Sequence, residues 1–486
     1  MTRLESQTSM HRKNWMLTRI TRGVAMTGAL LIVACDSPTV PQFNNTTKEV
    51  AANDPSSLQL LATGLLAQNR GTVQGRISAF GRLGRESFVY TPTEGRNTTH
   101  FLQGPGPLDP SGFAAASFGP YGNLRDVDEF LKVVEGLTVL NAVPVTEAQK
   151  DAGRGFGKTI YAQELLSIIS ALDTIGAVVE VREDPRDLAP FVSRDSVYRH
   201  ITGLLDEAKA NLDAAGTTAF PFALHSGYAG FNTPATYARF NRAIAAQASV
   251  YHGSLGCGVP CYTKALTALS QSFINPTGPL RAGPFHPFST ATGDAQNNLF
   301  FSTASDLVAH PSIQTDAQLR ANGSRDLRLN AKTDTATPVK AATPSGAGIS
   351  TSVRFKLYAD RSAPIPIITN EELILLRSEA RWFTGDKLGA IQDLDIVRQT
   401  SGGLPPSTLT IASSDAEYIT ALLYERRYSL LLEGRRWIDH RRFGRLSSLP
   451  LDIPTHFVAR VQPIPQGECL IRVNETTPAL RGPGCP

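Results

Sequence analysis

The residue with the most definite chemistry is Cys35. It follows Ile32-Val33-Ala34 at the exit of an apolar run from Gly23 to Ala34. Small residues ahead of a cysteine in this setting form a lipobox. The Cys35 thiol is therefore expected to carry a lipid and to become the first residue of the mature chain. The run is too short for a membrane helix, which needs ~20 apolar residues. Arg12, Lys13, Arg19 and Arg22 precede it, as in a secretory leader.

Four cysteines remain: Cys257, Cys261, Cys469 and Cys485. Two local pairs, Cys257–Cys261 and Cys469–Cys485, are the simplest solution, although four cysteines allow three connectivities. A Cys-x3-Cys with a distant second pair also suits zinc. No histidine stands at ligand spacing near either pair, and an oxidising compartment favours disulfides. Structural disulfides are thus expected, with no metal and no cofactor.

The leader also explains the charge. The chain holds 47 Lys and Arg against 43 Asp and Glu, but residues 1–34 contain Arg3, Arg12, Lys13, Arg19 and Arg22 against Glu5 alone. The mature chain is left neutral, without the basic footprint a nucleic-acid partner requires.

Catalytic patterns are missing. No G-x-S-x-G and no H-E-x-x-H occurs, and no catalytic residue is assigned. Ala152-Gly153-Arg154-Gly155-Phe156-Gly157-Lys158-Thr159 fits a relaxed phosphate loop. A real one follows a buried strand, whereas the preceding Val143 to Asp151 is polar and helical in character, so nucleotide binding is not expected.

The densest charge pattern runs from Tyr424 to Arg442 (YERRYSLLLEGRRWIDHRR). Glu425, Arg426, Glu433, Arg435 and Asp439 alternate in sign at spacings that permit forked Arg–carboxylate pairs. They are expected to form an internal ion-pair network on a helix that runs out at Gly434.

Helical hairpins must position these groups. Glu371 to Gln399 has apolar residues at helical spacing, interrupted by Thr384-Gly385-Asp386; Gly385 ends one helix and Asp386 caps the next. The alternation of Ala380, Phe383, Gly385, Ala390 and Leu394 matches a tetratricopeptide hairpin. Thr236 to Phe273 repeats the plan, with Cys257–Cys261 stapling its turn. Lys158 to Val179 and Arg194 to Leu212 supply further amphipathic helices. The expected fold is mostly α, a tetratricopeptide-like scaffold with long irregular insertions, and Thr333 to Ser352 is the best candidate for an exposed loop. The expected domains are a signal peptide at 1–34, a lipid-anchored tether at 35–55 and one folded unit at 56–486.

Three further strings carry a family resemblance. These are E-R-R-x5-E-G-R-R-W-x-D-x-R-R from Glu425, Pro463-Ile464-Pro465-x-x-Glu468, and the block from Ile365 to Gln399. With the lipobox, they resemble the SusD/RagB nutrient-uptake lipoproteins. Phe118 to Phe130 is similar to the family's early aromatic-Tyr helix, with Phe118 where the family usually shows Trp. The resemblance implies a binding protein, not an enzyme. It would be lipid-anchored on the outer face of the outer membrane, over a SusC-like TonB-dependent β-barrel transporter, and would capture oligosaccharides or peptides. The alternatives are a lipoprotein glycan hydrolase and a tetratricopeptide envelope scaffold.

The insertions are compatible with such a role, since loops on a rigid scaffold carry recognition. Phe88, Tyr90, Arg96, Asn97, Phe113, Phe118, Tyr121, Phe285 and Phe288 are the candidate ligand-binding residues. Rings stack on the C–H faces of sugars, while amides and guanidiniums bond hydroxyls. For each ring the alternative is packing of its loop onto the helices.

Overall fold

A computed structural model describes residues 55–485, apart from 92, 116, 141, 185 and 336–349. The leader, Cys35 and residues 36–54 lie outside the described residues. The first described helix, α1 (Pro55–Leu83), leads into a short strand, Ser87–Val89, and α2 (Arg96–Leu102). Then come α3 (Pro120–Gly136), α4 (Glu147–Leu172), α5 (Arg194–Ala214), α6 (Pro234–His252) and α7 (Val259–Ser270). A loop-rich stretch holds α8 (Leu327–Lys332). It is followed by α9 (Asn370–Phe383), α10 (Lys387–Thr400), α11 (Asp415–Ser429), α12 (Arg436–Arg442) and α13 (Gln466–Ile471).

Local chemistry fixes the helix starts. Thr146 with Gln149, Thr233 with Thr236, and Ser414 with Glu417 form reciprocal capping boxes at α4, α6 and α11. Asp386 caps α10 by accepting from the Gly389 amide, as the sequence predicts. Each helix then packs on the next: α3 on α4, α4 on α5, α5 on α6, α6 on α7, α7 on α9 and α9 on α10. This is the expected mostly α scaffold of stacked hairpins. All described sheets are two-stranded.

Helix α4 begins well before the expected Lys158 and absorbs the entire phosphate-loop lookalike. Its glycines serve packing. A Cβ on Gly155 would lie 2.5 Å from Leu212 of α5, and one on Gly157 would lie 2.8 Å from Leu131 of α3. Close helix approach therefore accounts for the motif.

The main core joins α1 and α3–α7 to Trp437, while a second cluster of Ile374, Trp382, Leu394, Tyr418 and Leu422 binds α9, α10 and α11. A third lies beneath the insertions, where Phe288, Leu299, Val353 and Tyr428 meet Leu431 and Leu432. This third cluster explains one departure from expectation. Helix α11 stops at Ser429, short of Gly434, because Leu431 and Leu432 leave the helical path to fill that core. Leu432 adopts φ +59°, and its amide donates to the buried Glu86 carboxylate at 3.0 Å. The expected loop from Thr333 to Ser352 starts with an antiparallel pairing of Thr333–Asp334 with Arg354–Phe355; residues 336–349 within it lie outside the described residues.

Candidate functional site

One loop, residues 103–119, carries the open aromatic surface. It leaves α2 and returns to α3, and it is tied to the C-terminal segment at both ends. The Gly104 amide donates to the Thr455 carbonyl, and the Gln466 amide donates to the Pro110 carbonyl. Ser117 Oγ donates to the Pro463 carbonyl at 3.3 Å. The C-terminal Pro463–Glu468 string thus acts partly as a buttress for this loop.

On the outer side of the loop, Phe113 is 40 % exposed. Its backbone N–H donates to His100 Nδ1 at 3.1 Å, and the two rings meet edge to face at 5.5 Å. The Arg96 guanidinium lies over the Phe113 ring, 4.7 Å from its centroid. Arg96 is held in turn by a fork to Glu94, with Nε at 2.7 Å and Nη2 at 2.5 Å from the carboxylate. That bonding draws the Glu94 carboxyl down to about 2. Arg96, His100 and Phe113 are therefore brought together as a braced, solvent-facing ring with hydrogen-bond donors beside it. Asn97 serves the fold, since its amide donates to Thr91 Oγ1 and its carbonyl accepts from Arg82.

Where the loop enters α3, Phe118 and Tyr121 pack with ring centroids 4.8 Å apart. They form one wall of a cleft of about 370 Å³, which also involves Arg125, Arg182, Glu468 and Arg472. The Tyr121 hydroxyl donates to the Val178 carbonyl and accepts from the Val178 amide, and burial pushes its pKa up. The ring is thereby locked in orientation. The charged groups are mostly cross-paired: Arg472 Nε to Glu468 at 2.6 Å and Arg182 Nη1 to Asp187 at 2.6 Å. Such a cleft offers an apolar wall beside polarised donors and acceptors.

Three expected ligand residues are corrected. Phe88 and Tyr90 are 0 % and 1 % exposed. Ser87–Val89 pairs with Leu307–Ala309, and this ribbon turns Phe88 inward against Tyr90 and His310. Phe288 belongs to the core beneath the insertions, with the Arg70 guanidinium 5.6 Å from its ring. Phe285 is half-buried in a strand paired with Ile365–Pro366. The nine candidates therefore separate into the Arg96–Phe113 surface, the Phe118–Tyr121 cleft, and residues committed to packing. A wider recess of about 660 Å³ between Gln318, Arg398, Glu417 and Tyr424 was not anticipated; its polar lining comes from segments far apart in the chain and leaves no local sequence signal.

The charged block is internal. Arg426 Nε meets Asp439 at 2.7 Å, Asp439 also accepts from Arg442 Nε at 3.0 Å, and Arg442 forks onto Glu379. Glu425 is gripped by Arg328 at 2.7 Å and Arg398 at 2.8 Å, and Arg435 reaches Glu372 at 3.0 Å. Burial pushes the Asp439 carboxyl up, but Arg426 and Arg442 together hold it below its ordinary value. Glu433 is the exception to the expected network. It makes no ion pair with the described residues and lines a narrow cavity with Arg76 and Tyr251; burial raises its pKa to about 7. The partners Arg328, Glu372, Glu379 and Arg398 were not identified from sequence.

The expected disulfides are present, Cys257–Cys261 and Cys469–Cys485. One reading of spacing is corrected: a histidine does stand at the first pair. His252 Nδ1 lies 3.4 Å from Cys261 Sγ.

Residues 311–474 match the sequence model of the SusD family. No curated protein matches the chain. Among solved structures, a SusD-like protein from Bacteroides fragilis superposes with TM-score 0.63 at 14 % identity, covering 88 % of this chain and 98 % of that one. A SusD superfamily protein from Bacteroides vulgatus gives 0.61 at 13 % identity, covering 86 % and 97 %. A surface glycan-binding protein A from Bacteroides fluxus gives 0.59 at 13 % identity, covering 88 % and 98 %. Residues 311–474 therefore carry the sequence pattern of the SusD family, and most of the chain has the helical fold seen in SusD superfamily structures.

Proposed function

We propose that this protein is a cell-surface lipoprotein that captures oligosaccharides and passes them to a SusC-like TonB-dependent transporter. In this reading Cys35 anchors it to the outer leaflet of the outer membrane, and the loop at 103–119 with its flanking cleft receives the ligand. The observation that carries the proposal is the braced, exposed Phe113 ring in contact with Arg96 and His100, on a SusD-like scaffold. The similarity in fold to a surface glycan-binding protein favours a glycan over a peptide. No described helix is long and apolar enough to cross a membrane.

Binding is favoured over hydrolysis by where the perturbed acids lie. A glycosidase needs a carboxyl with a raised pKa facing its substrate. Of the carboxyls raised by burial, Glu86, Glu164 and Glu425 are interior groups, and Glu433 lines a narrow cavity that shares no residue with the Phe118–Tyr121 cleft. Asp184, at the cleft, is instead lowered by bonding to Arg186.

A glycan array followed by calorimetry on the purified protein tests the proposal. It predicts binding of one class of oligosaccharide without turnover. Release of reducing ends, or binding of peptides alone, would overturn it. Co-purification of a TonB-dependent β-barrel from native membranes tests the transfer step separately.

A further inference from the structure

The hairpin turn between α6 and α7 gathers three soft-metal donors. His252 closes α6, Cys257 lies in the turn, and Cys261 sits in the first turn of α7. Their donor atoms all lie within 4.8 Å of one another. The imidazole is held in place. Its Nε2 is 2.7 Å from an Asp195 carboxylate oxygen, and Tyr198 stacks on its face with centroids 5.3 Å apart and an interplanar angle of 15°. A carboxylate only accepts, so Nε2–H points to Asp195, and in the neutral ring the Nδ1 lone pair faces Cys261 Sγ at 3.4 Å.

We propose that reduction of the Cys257–Cys261 bridge opens a Cys2His site for a thiophilic divalent cation such as zinc, with the ring oriented by Asp195. The dimensions fit. Tetrahedral zinc, with Zn–S of ~2.3 Å and Zn–N of ~2.0 Å, sets an N–S edge of ~3.5 Å and an S–S edge of ~3.8 Å. The His252–Cys261 edge already has that length, so Cys257 Sγ alone must withdraw. It lies in a turn whose Gly256 and Gly258 adopt φ +124° and +67°. An aspartate bonded to the far nitrogen of a ligating histidine is the usual supporting arrangement in zinc sites. Cys257 is partly exposed while Cys261 and His252 are buried, so reductant and ion approach from the Cys257 side.

The redox step needs a dithiol reductant. One of its thiolates attacks Cys257 Sγ, the S–S bond breaks, and Cys261 leaves as thiolate. The second reductant thiolate then attacks the mixed disulfide, releasing Cys257 and closing the reductant into a cyclic disulfide. Two electrons pass to the protein. Binding of the cation displaces the remaining thiol protons to solvent.

The test is cobalt titration of the full-length Cys35→Ser protein after reduction and removal of the reductant. One equivalent of Co²⁺ should give thiolate charge-transfer bands and intense tetrahedral d–d absorption, both erased by zinc. The oxidised protein should give neither. The spectrum should persist in Cys469→Ser/Cys485→Ser and vanish in Cys257→Ser. Asp195→Asn should retain the spectrum but weaken affinity ~10–100-fold. Absence of the bands in the reduced protein overturns the proposal, a result that does not depend on any site variant folding. Bands that survive in Cys257→Ser also overturn it.

Discussion

Arg426 and Asp439 meet at 2.7 Å although they lie on different helices, α11 and α12, and both are almost wholly buried. Arg442, on the second of these helices, completes Asp439 and ties it to Glu379 on α9. The most characteristic string in the sequence is therefore an ion-pair lattice that joins three helices. Removing one member strands the others in low dielectric. Arg426→Ala is expected to destabilise the protein by ~3–5 kcal/mol, read as a fall in melting temperature and yield. A variant of unchanged stability that lost ligand binding would reverse the division between scaffold and site.

The buried Glu86 makes stability fall as pH rises. Burial raises its carboxyl from the ordinary 4.5 to about 7 in the folded protein, so the native state binds the proton more tightly than the unfolded chain. This contribution is fully present below about pH 4.5 and is lost as pH rises through about 7. Oε1 accepts from the Leu432 amide, and Oε2 has no hydrogen-bond partner among the described residues. Glu86→Gln keeps that acceptor and cannot ionise. Thermal melts should find it more stable than wild type at pH 8, by up to ~3 kcal/mol, with the advantage gone at pH 4. An equal effect at both pH values would contradict this reading.

Phe88→Ala and Phe113→Ala should behave oppositely. Phe88 is fully buried, and its truncation is expected to cost ~3–5 kcal/mol. Phe113 is exposed, and its loss should change stability by no more than ~0.5 kcal/mol. Chemical denaturation of the pair checks both. A large destabilisation by Phe113→Ala would return that ring to the core and shift attention to the Phe118–Tyr121 cleft.

The contrast shows what sequence conveys. Helix hairpins were legible because caps and apolar spacing are local: Asp386 caps α10 where expected, and Cys257–Cys261 staples its turn. The helical character expected of Val143 to Asp151 holds only from Glu147 onward, because Val143–Pro144 pairs with Val139–Leu140 as a short strand. The destination of Phe88 was not, because its partner strand lies more than 200 residues away. For the same reason Arg426 was recognised as a network residue while Glu372 and Glu379 were not. His252 escaped notice because helix α6 and the following turn fold a sequence gap back onto Cys261. Exposure, which decides whether an aromatic stacks on a ligand or on its own core, is a tertiary property.

The two disulfides should differ in weight. Cys469–Cys485 closes a loop of separation 16, against 4 for Cys257–Cys261. In the chain-entropy picture a loop of that larger size contributes ~3 kcal/mol, and the shorter one less. Denaturation of Cys469→Ser/Cys485→Ser and Cys257→Ser/Cys261→Ser measures the difference. A larger loss from the second pair would show that the α6–α7 turn depends on its staple for more than loop closure.

Anchoring is tested by Cys35→Ser. Labelled palmitate should no longer be incorporated, and the protein should remain uncleaved or soluble. Unchanged labelling would refute the lipid attachment.

The central claim is that the Arg96–Phe113 surface captures a glycan. Calorimetric titration of wild type and Phe113→Ala with the best oligosaccharide from an array tests it most directly. The account predicts measurable binding by wild type and a loss of at least ~1 kcal/mol in the variant, equivalent to ~5-fold in Kd, with its melting temperature unchanged. Equal affinity in the two proteins would contradict it.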